Sequence, residues 1–256
     1  MIDVGQGDSA ILIYPNKSKV VMLDTGGKLN YSEYEWMISS KKYNISDNVI
    51  KFLKSKGITK INYLILTHGD YDHIGEANNL VIKFKVEKVI FNCGTYNDLE
   101  KKLIKVLDKK NIKYYSCIKE LNVDNNKLYF LQTKEYDNEN DNSNVIYTKM
   151  NGYKFMFMAD AGIEKEKDII EKYNLKNIDF LKVGHHGSNT SSSEEFINSI
   201  NPKYSIITVG KNNRYGHPKE SVLDTLSKSK IYRTDIDGSI EINLNKDGYK
   251  FNTCPP

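Results

Sequence analysis

The chain has 256 residues, a length that suits one large domain or two small ones, and its 39% apolar and 27% charged residues are typical of an ordinary globular protein. No apolar run reaches the roughly 18 residues of a membrane helix, and the N-terminus lacks the basic-then-apolar layout of a signal peptide, so we expect a cytoplasmic protein without a transmembrane segment. A net charge of +4 with scattered lysines says little about partners, and three cysteines without CxxC spacing exclude a cysteine zinc site and argue against a disulfide framework.

Short strands and tight turns are predicted at the start of the chain. Apolar runs at 10–14 and 20–23 flank a turn signal at 15–18, which predicts two consecutive strands. Residues 28–46 are polar and irregular, which predicts a loop with a short helix. Ser46 is a candidate cap for a helix that runs to Gly57.

Strands and helices alternate in the middle of the chain. We expect a strand at 61–66, a helix from about 72 to 84, a strand at 86–91, a helix at 98–109 and a strand at 112–116. This order is typical of α/β units. The very polar segment 133–144 is the predicted seam between two halves of a single domain that covers residues 1–256.

The second half has the same kind of element order. The turn Asn151-Gly152 predicts a hairpin between strands at 145–148 and 155–158. The further predicted elements are a helix at about 163–173, a strand at 178–183, a helix at about 192–200, a strand at 204–209, a helix at about 219–228 and closing strands near 231–233, 239–244 and 249–252. The two halves show no repeat at the level of sequence.

Histidines are few, and their positions are informative. All five follow predicted apolar strands: His68, His73, His185, His186 and His217. The segment Thr67–Gly75 places two histidines and two aspartates within six residues. Imidazole nitrogens and carboxylate oxygens are ligands for Zn, Mn or Fe, so the segment indicates a metal site. The alternative is a solvated loop whose aspartate caps the following helix.

Three further strand ends carry candidate residues. Asp160 follows an apolar strand, at a position where α/β sites form, and a helix-capping role explains it equally well. His185 and His186 lie between glycines, where packing gives little reason for them. His217 precedes a proline, and a turn role and a functional role are equally compatible with that position.

In this order, the motifs resemble the metallo-β-lactamase superfamily and, within it, the hydrolase domain of ComEC-type competence proteins and its stand-alone relatives. The resemblance covers nearly the whole chain and rests on Asp3–Ser9, Leu23–Gly27, Thr67–Gly75, Asn142–Ser143, Asp160, Val183–Ser188 with Thr190 and Ser191, Tyr215–Pro218, and Arg233–Asp235 with Gly238. It implies an α/β fold of the αββα four-layer sandwich type, with a site for one or two metal ions at one edge.

The resemblance also implies which residues bind metal. His68 and Asp70 would hold a first ion, Asp72 and His73 would hold a second, and Asp160 would bridge the two. The late histidine ligand of the superfamily corresponds to His185, with the neighbouring His186 as the alternative. Asp24 would orient a histidine ligand through a hydrogen bond, and Asp8 would lie near the metal.

The first ion site departs from the superfamily pattern. Asp70 stands where the superfamily motif has histidine, and residues 74–184 contain no histidine that could supply the usual third nitrogen ligand. Asn142, Ser143 or water would then take that place. Carboxylate in place of imidazole makes the site richer in oxygen, which shifts its preference from Zn towards Mn or Mg.

The resemblance and the carboxylate-rich site together indicate a metal-dependent phosphodiesterase or nuclease that acts on nucleic acid with one or two ions, Mn or Zn, with Mg as a further option. Asp72 or Asp160 would orient the attacking water. His217, or whichever of His185 and His186 is not a ligand, would protonate the leaving oxygen. The candidate phosphate donors, or alternatively capping residues of the next helix, are Ser188, Asn189 and Thr190.

Two other functions are compatible with the same residues. A hydrolase of a lactam, thioester or lactone is one alternative, but the missing histidine and Asp70 argue against the nitrogen-rich zinc site of a β-lactamase. A non-catalytic module that binds nucleic acid or a partner in a DNA-uptake or defence system is the other. The oligomeric state is not predicted.

Overall fold

A computed structural model describes residues 1–27 and 44–255. The first sheet is formed by β1 (Ala10–Ile13), β2 (Val20–Leu23), β3 (Lys60–Ile65), β4 (Lys85–Phe91) and β5 (Lys113–Ser116), in that spatial order. Strands β1 and β2 are antiparallel, and β2 to β5 are parallel. Since the carboxyl ends of parallel strands meet at one edge, the loops after β2, β3 and β4 lie together.

The second sheet has seven strands in the order β12-β11-β10-β9-β8-β7-β6. Their bounds are β6 (Glu120–Val123), β7 (Asn126–Phe130), β8 (Ile146–Met150), β9 (Tyr153–Phe157), β10 (Phe180–Lys182), β11 (Tyr204–Ile207) and β12 (Lys230–Arg233). Strands β6 to β9 are antiparallel, and β9 to β12 are parallel. A separate antiparallel ribbon consists of β13 (Ser239–Asn245) and β14 (Gly248–Cys254).

Helices cover the outer faces of both sheets. They are α1 (Ile45–Ser55), α2 (Tyr71–Ile74), α3 (Ala77–Lys83), α4 (Asp98–Lys109), α5 (Ile163–Lys172), α6 (Glu194–Ile200), α7 (Glu220–Thr225) and α8 (Thr234–Asp237). Helix α4 has the predicted bounds, because Asn97 and Glu100 form a reciprocal capping box at its start and an apolar stripe faces the first sheet.

Three apolar clusters separate the layers. One lies between the first sheet and α1, α3 and α4, and another lies between the second sheet and α5 to α7. The third joins the inner faces of the two sheets, where Leu23 and Ile65 belong to the same cluster as Phe155 and Phe180. The rings of the two phenylalanines are 4.5 Å apart. The layers are therefore helix, sheet, sheet and helix, as expected.

Some predicted elements differ from the structure. The helix expected from about 72 to 84 is two helices, α2 and α3, because the Glu76 N–H donates to the carbonyl oxygen of Gly26 instead of continuing the helix. The hairpin of β6 and β7 and the short helix α8 were not predicted. The loop expected at 28–46 lies outside the described residues over 28–43.

Two cysteines are joined in the structure. Cys93 and Cys117 follow the neighbouring parallel strands β4 and β5, and they form a disulfide, whereas Cys254 is free and exposed. The spacing of the cysteines argued against a disulfide framework. The described residues contain one disulfide, and it joins the ends of two adjacent strands. Within 1–27 and 44–255, no helix combines the length and apolar character needed to span a membrane.

Candidate metal centre

The candidate residues meet where the strand ends of both sheets converge. The loop after β3 leads into α2, which carries Asp72 and His73. Asp160 follows β9, and His186 follows β10, its parallel neighbour. The loop at 3–9 closes over the same place, since the Asp8 N–H donates to the Asp72 carbonyl oxygen at 3.2 Å.

Four side chains form one compact cluster. Asp72, His73, Asp160 and His186 each offer a ligand atom, and these atoms all lie within 4.8 Å of one another. The Nε2 atom of His73 is 3.2 Å from Asp160 Oδ1, and the Nε2 atom of His186 is 3.3 Å from Asp72 Oδ2. Two imidazole nitrogens and two carboxylate oxygens are a donor set that suits a divalent transition metal.

Unpartnered polar atoms support this interpretation. His73 Nε2, His186 Nε2 and Asp160 Oδ1 are fully buried, and none of them has a hydrogen-bond partner. Buried polar atoms are nearly always hydrogen-bonded, so three unpartnered atoms that face one another need an explanation. A metal ion would bind all of them at once, and the residues therefore fit such an ion.

Other groups hold the two imidazoles in place. Asp24 Oδ2 lies 2.8 Å from His73 Nδ1, and the same carboxylate accepts hydrogen bonds from the Thr67 N–H and hydroxyl at 2.8 and 2.6 Å. His186 Nδ1 lies 2.8 Å from the Thr208 carbonyl oxygen. Because each Nδ1 atom donates its proton to these acceptors, each Nε2 atom faces the cluster and would bind an ion after giving up any proton it carries.

The buried carboxylates create a field that favours a cation. Burial acts to lower the pKa of His73, but Asp160, Asp24 and Asp8 outweigh it and raise the pKa well above its usual value. Burial acts to raise the pKa of Asp160, but the His73 and His186 charges hold it well below its usual range. A site that stabilises a proton on His73 so strongly also stabilises a metal cation.

The other expected ion site, at His68 and Asp70, has fewer candidate ligands. His68 is fully buried with an unpartnered Nε2 atom 3.5 Å from Asp70 Oδ2, and the Asp70 side chain is 52% exposed. In the described part of the chain, these two residues belong to no group of three or more candidate ligand atoms. The Asn142 side chain bonds to the backbone of Tyr136, whereas the Ser143 hydroxyl is buried without a partner.

The two adjacent histidines have different positions. His186 belongs to the four-residue cluster, whereas the Nε2 atom of His185 lies 3.8 Å from Asp160 Oδ2 and its side chain is 26% exposed. His185 Nδ1 is 3.0 Å from the Thr190 hydroxyl. The geometry thus favours His186, the alternative, over His185 as the late histidine of the cluster.

The remaining expected residues surround His185. The His217 ring lies 6.0 Å from the His185 ring, and burial lowers the pKa of His217 to about 4. The Ser188 hydroxyl accepts a hydrogen bond from the Thr190 hydroxyl at 3.0 Å, and Asn189 is exposed. None of the three residues 188–190 caps the next helix, because Ser193 is the N-cap of α6.

Sequence reasoning missed Lys182. Its side chain is buried at the end of β10, where it forms an ion pair with Asp8 and donates to the Ala159 carbonyl oxygen at 2.9 Å. Burial acts to raise the pKa of Asp8, but Lys182, His73 and His186 outweigh it and lower that pKa. A lysine in the apolar strand Phe180–Lys182, directly before the two histidines, was the available signal.

Comparisons with known proteins agree with this picture. A family model described as the metallo-beta-lactamase superfamily matches residues 3–211. The chain is 34% identical to ComE operon protein 3 of Bacillus subtilis (strain 168), over 100% of this chain and 34% of that protein. It is 28% identical to competence protein ComA of Neisseria gonorrhoeae, over 97% of this chain and 32% of that protein. The chain therefore spans about a third of the length of these relatives.

Solved structures show the same fold at low identity. The metallo-beta-lactamase fold protein YhfI of Bacillus subtilis has a TM-score of 0.57 at 9% identity, with 89% of each chain covered. CmlA, a diiron beta-hydroxylase from Streptomyces venezuelae, has a TM-score of 0.56 at 12% identity, over 98% of this chain and 55% of that one. The expected αββα fold is confirmed, and these two likenesses carry nothing beyond the fold.

Proposed function

Because the chain belongs to the metallo-β-lactamase superfamily, we propose that it is a metal-dependent hydrolase of phosphodiester bonds in nucleic acid. The buried cluster of two histidines and two aspartates carries this proposal. Asp72, His73, Asp160 and His186 would hold one divalent ion. Bound there, the ion would activate a water molecule and stabilise negative charge on a substrate oxygen.

The two cluster carboxylates differ in access to solvent. The Asp72 side chain is 21% exposed, whereas the Asp160 side chain is buried. Asp72 can therefore both bind and orient a water molecule that enters from outside. Asp160 is held between His73 and His186, which suits a fixed ligand.

His185 is the proposed partner of the leaving oxygen. The Thr190 hydroxyl lies against its Nδ1 atom, and burial lowers the pKa of His185, so the ring is neutral near pH 7. The Thr190 hydroxyl donates its only proton to Ser188, so it accepts from His185 Nδ1, and the neutral ring presents the lone pair of Nε2 on the Asp160 side. Nε2 can therefore take up the proton that the attacking water releases and transfer it to the leaving oxygen.

The rim beside His185 favours nucleic acid as the substrate. The loop 208–219 contains Lys211, Arg214 and Lys219 and no acidic residue. Tyr215 in this loop is 49% exposed, and its ring stacks on His217 at 5.6 Å. Cations that contact phosphates and aromatic rings that stack on bases are the usual features of single-strand binding. The competence proteins among the relatives are in keeping with DNA as the substrate.

The donor atoms also suggest how many ions bind. We propose one tightly held ion in the four-residue cluster and a weaker second ion at His68 and Asp70. The oxygen-rich second place suits Mn better than Zn, whereas the two nitrogens of the main cluster suit either. Titration of metal-free protein with each ion, followed by the bound amount per chain, tests this order of affinities.

The decisive experiment compares substrates and variants under defined metal conditions. Metal-stripped protein is supplied with Mn²⁺, Zn²⁺ or Mg²⁺ and incubated with end-labelled single- and double-stranded DNA and RNA, and separately with a chromogenic lactam. We expect metal-dependent cleavage of nucleic acid that is lost in Asp160→Ala and His186→Ala. Asp47→Ala, at an exposed position on α1, is the matched control and is expected to cleave normally.

Each other outcome identifies a different function. Cleavage that survives both cluster substitutions contradicts the proposed site. Hydrolysis of the lactam without cleavage of nucleic acid favours the lactam hydrolase. Binding of nucleic acid without cleavage under all three metals identifies a non-catalytic binding module.

A further inference from the structure

Lys182 is a buried cation next to the metal centre. Of the lysines in the described residues, only Lys165 and Lys182 are buried, and only Lys182 adjoins the cluster. Its Nζ atom is paired with Asp8 Oδ2 and lies 3.9 Å from Asp160 Oδ1. A buried ammonium is tolerated only where nearby carboxylates compensate its charge, so this position requires those two acids.

The side of the cluster that Lys182 occupies is itself suited to a cation. Ligand atoms of Asp8, Asp24 and His73 lie within 4.8 Å of one another and form a second group of metal-ligand type beside the first. Asp160 Oδ1, which lies between the two groups, is buried and has no hydrogen-bond partner. Without Lys182, the buried carboxylates of Asp8 and Asp160 would depend on His73 and His186 for compensation of their charge.

We propose that the Lys182 ammonium is a built-in cation that occupies the Asp8 side of the cluster and so confines divalent ions to the Asp72 and His186 side. This inference rests on the proposed metal binding. Two cations a few ångströms apart in a poorly screened interior repel each other strongly, so a divalent ion and the ammonium exclude each other from the space between Asp8 and Asp160.

Asp8 also connects Lys182 to a histidine of the cluster. The Thr208 hydroxyl donates to Asp8 Oδ1 at 2.5 Å, and the carbonyl oxygen of the same residue faces His186 Nδ1 at 2.8 Å. The ion pair is thus linked through one residue to the orientation of His186. Lys182 is therefore a positioning residue that limits where metal binds, rather than a group that touches substrate.

Opposite substitutions in the pair give opposite expected effects on metal binding. Removal of the positive charge in Lys182→Met takes the nearest cation away from Asp8 and leaves His186 and His73 at 3.5 and 3.9 Å, so we expect Mn²⁺ to bind at least about tenfold more tightly or in one additional copy per chain. Removal of the negative charge in Asp8→Asn leaves the ammonium unbalanced beside the cluster, so we expect weaker Mn²⁺ binding. A purely structural ion pair would weaken Mn²⁺ binding in both variants.

The test is a Mn²⁺ titration of the full chain by equilibrium dialysis, with free Mn²⁺ read by electron paramagnetic resonance. The variants are Lys182→Met, Lys182→Arg, Asp8→Asn and the double variant Asp8→Asn with Lys182→Met. We expect Lys182→Arg, which keeps the charge, to resemble the wild type. The double variant is expected to lose the gain seen in Lys182→Met, because the carboxylate that captures the additional ion is gone.

Thermal unfolding gives a second readout that does not depend on activity. In EDTA, Lys182→Met is expected to unfold at a lower temperature than the wild type, since the buried Asp8 then loses its ion pair with Lys182. Saturating Mn²⁺ is expected to raise the unfolding temperature of this variant more than that of the wild type. If Lys182→Met does not fold, Lys182→Gln replaces it. Mn²⁺ affinity is then expected to rise in Lys182→Gln and to fall in Asp8→Asn.

The outcomes separate this inference from the proposed function. Unchanged or weaker Mn²⁺ binding in Lys182→Met, together with weaker binding in Asp8→Asn, overturns the inference and leaves the proposed function intact. If the wild type binds no Mn²⁺ and Lys182→Met binds one ion, the proposed main site fails, and only the exclusion of metal from the Asp8 side by Lys182 is supported. If neither protein binds Mn²⁺, both are overturned.

Discussion

The two halves of the candidate metal centre come from one short motif, yet they differ in completeness. The half around His73 takes ligands from both sheets, because Asp160 and His186 follow strands of the second sheet. The half around His68 has Asp70 from the same loop, and that carboxylate is half exposed. The candidate ligands of one half come from two sheets, whereas both candidate ligands of the other half come from a single loop.

The hydrogen-bond partner of the imidazole Nδ1 atom is also stronger in the His73 half than in the His68 half. His73 Nδ1 is backed by the buried carboxylate of Asp24 at 2.8 Å. His68 Nδ1 is backed by the Thr67 hydroxyl at 3.2 Å, and that hydroxyl already donates to Asp24. A charged acceptor fixes the tautomer and raises the basicity of the ring more than a shared hydroxyl does. We therefore expect the His73 half to bind metal more tightly than the His68 half, because of groups that do not touch the ion.

The largest expected effect concerns the choice between the two adjacent histidines. His186→Ala removes a cluster nitrogen, so we expect loss of the tight ion and a fall in cleavage rate of more than about 100-fold, beyond what supporting residues usually contribute. His185→Ala is expected to keep the full metal content and to lose about 100-fold in rate, as for removal of a proton donor. Metal content by mass spectrometry distinguishes the two variants, and loss of metal in His185→Ala instead would reverse their proposed roles.

The next largest effect tests the support of the stronger half. Asp24→Asn keeps the shape of the side chain and tolerates the positive φ of 54° at this position, but it removes the charge behind His73. We expect metal affinity to fall about 10- to 100-fold. Asp47→Asn, an exposed aspartate paired with Lys83, is the control. An unchanged metal affinity in Asp24→Asn would show that the charge of Asp24 behind His73 does not explain a difference in metal binding between the two halves.

The sequence motif is local, and it predicted that Asp72, His73 and Asp160 would lie together, as they do in the structure. The segment 67–75 follows a buried strand, and strand ends are where α/β folds place their sites, so the clustering of His73, Asp72 and Asp160 was expected on sound grounds. The choice between His185 and His186 was not accessible. Both residues have a positive φ, 44° and 54°, and the direction of each ring depends on a backbone conformation that residue type does not dictate.

Long-range pairing explains what sequence reasoning missed. Lys182 looks like one polar residue in an apolar strand, and its partner Asp8 lies in the first loop of the chain, so only the folded structure joins them. The β6–β7 hairpin was missed because its apolar residues alternate with polar and charged ones over very short strands. The break between α2 and α3 depends on a hydrogen bond from Glu76 to Gly26, another contact between distant segments.

A smaller effect is expected in the weaker half. Asp70→Asn removes a charge from a half-exposed side chain, so solvent already screens much of its field. We expect the affinity of the second ion to fall less than about tenfold, below the usual effect of a supporting residue, and the first ion to be unaffected. Calorimetric titration with Mn²⁺ separates the two binding steps. A loss of the tight ion in this variant would mean that the halves are one site.

The smallest expected effect concerns Lys165, which donates to the Ser143 carbonyl oxygen at 3.3 Å and so supports the loop behind the weaker half. Burial lowers the pKa of Lys165 from 10.5 to about 8 in the folded chain, with partial compensation by Asp141 and Asp168. The unfolded chain therefore binds more protons between pH 8 and 10.5, and the free energy of unfolding rises with pH in that window.

Lys165→Met removes this dependence. Below pH 8 the variant avoids burying a charge, so after the loss of the Ser143 contact we expect it to be about 1 kcal/mol more stable than the wild type. Above pH 10 the wild-type lysine is neutral at no penalty, so the order of stabilities is expected to reverse. Urea unfolding at pH 7 and pH 10 measures both values, with Lys167→Met, exposed on the same helix, as the control. Parallel pH profiles of wild type and Lys165→Met would show that the ammonium is hydrated rather than buried behind the loop.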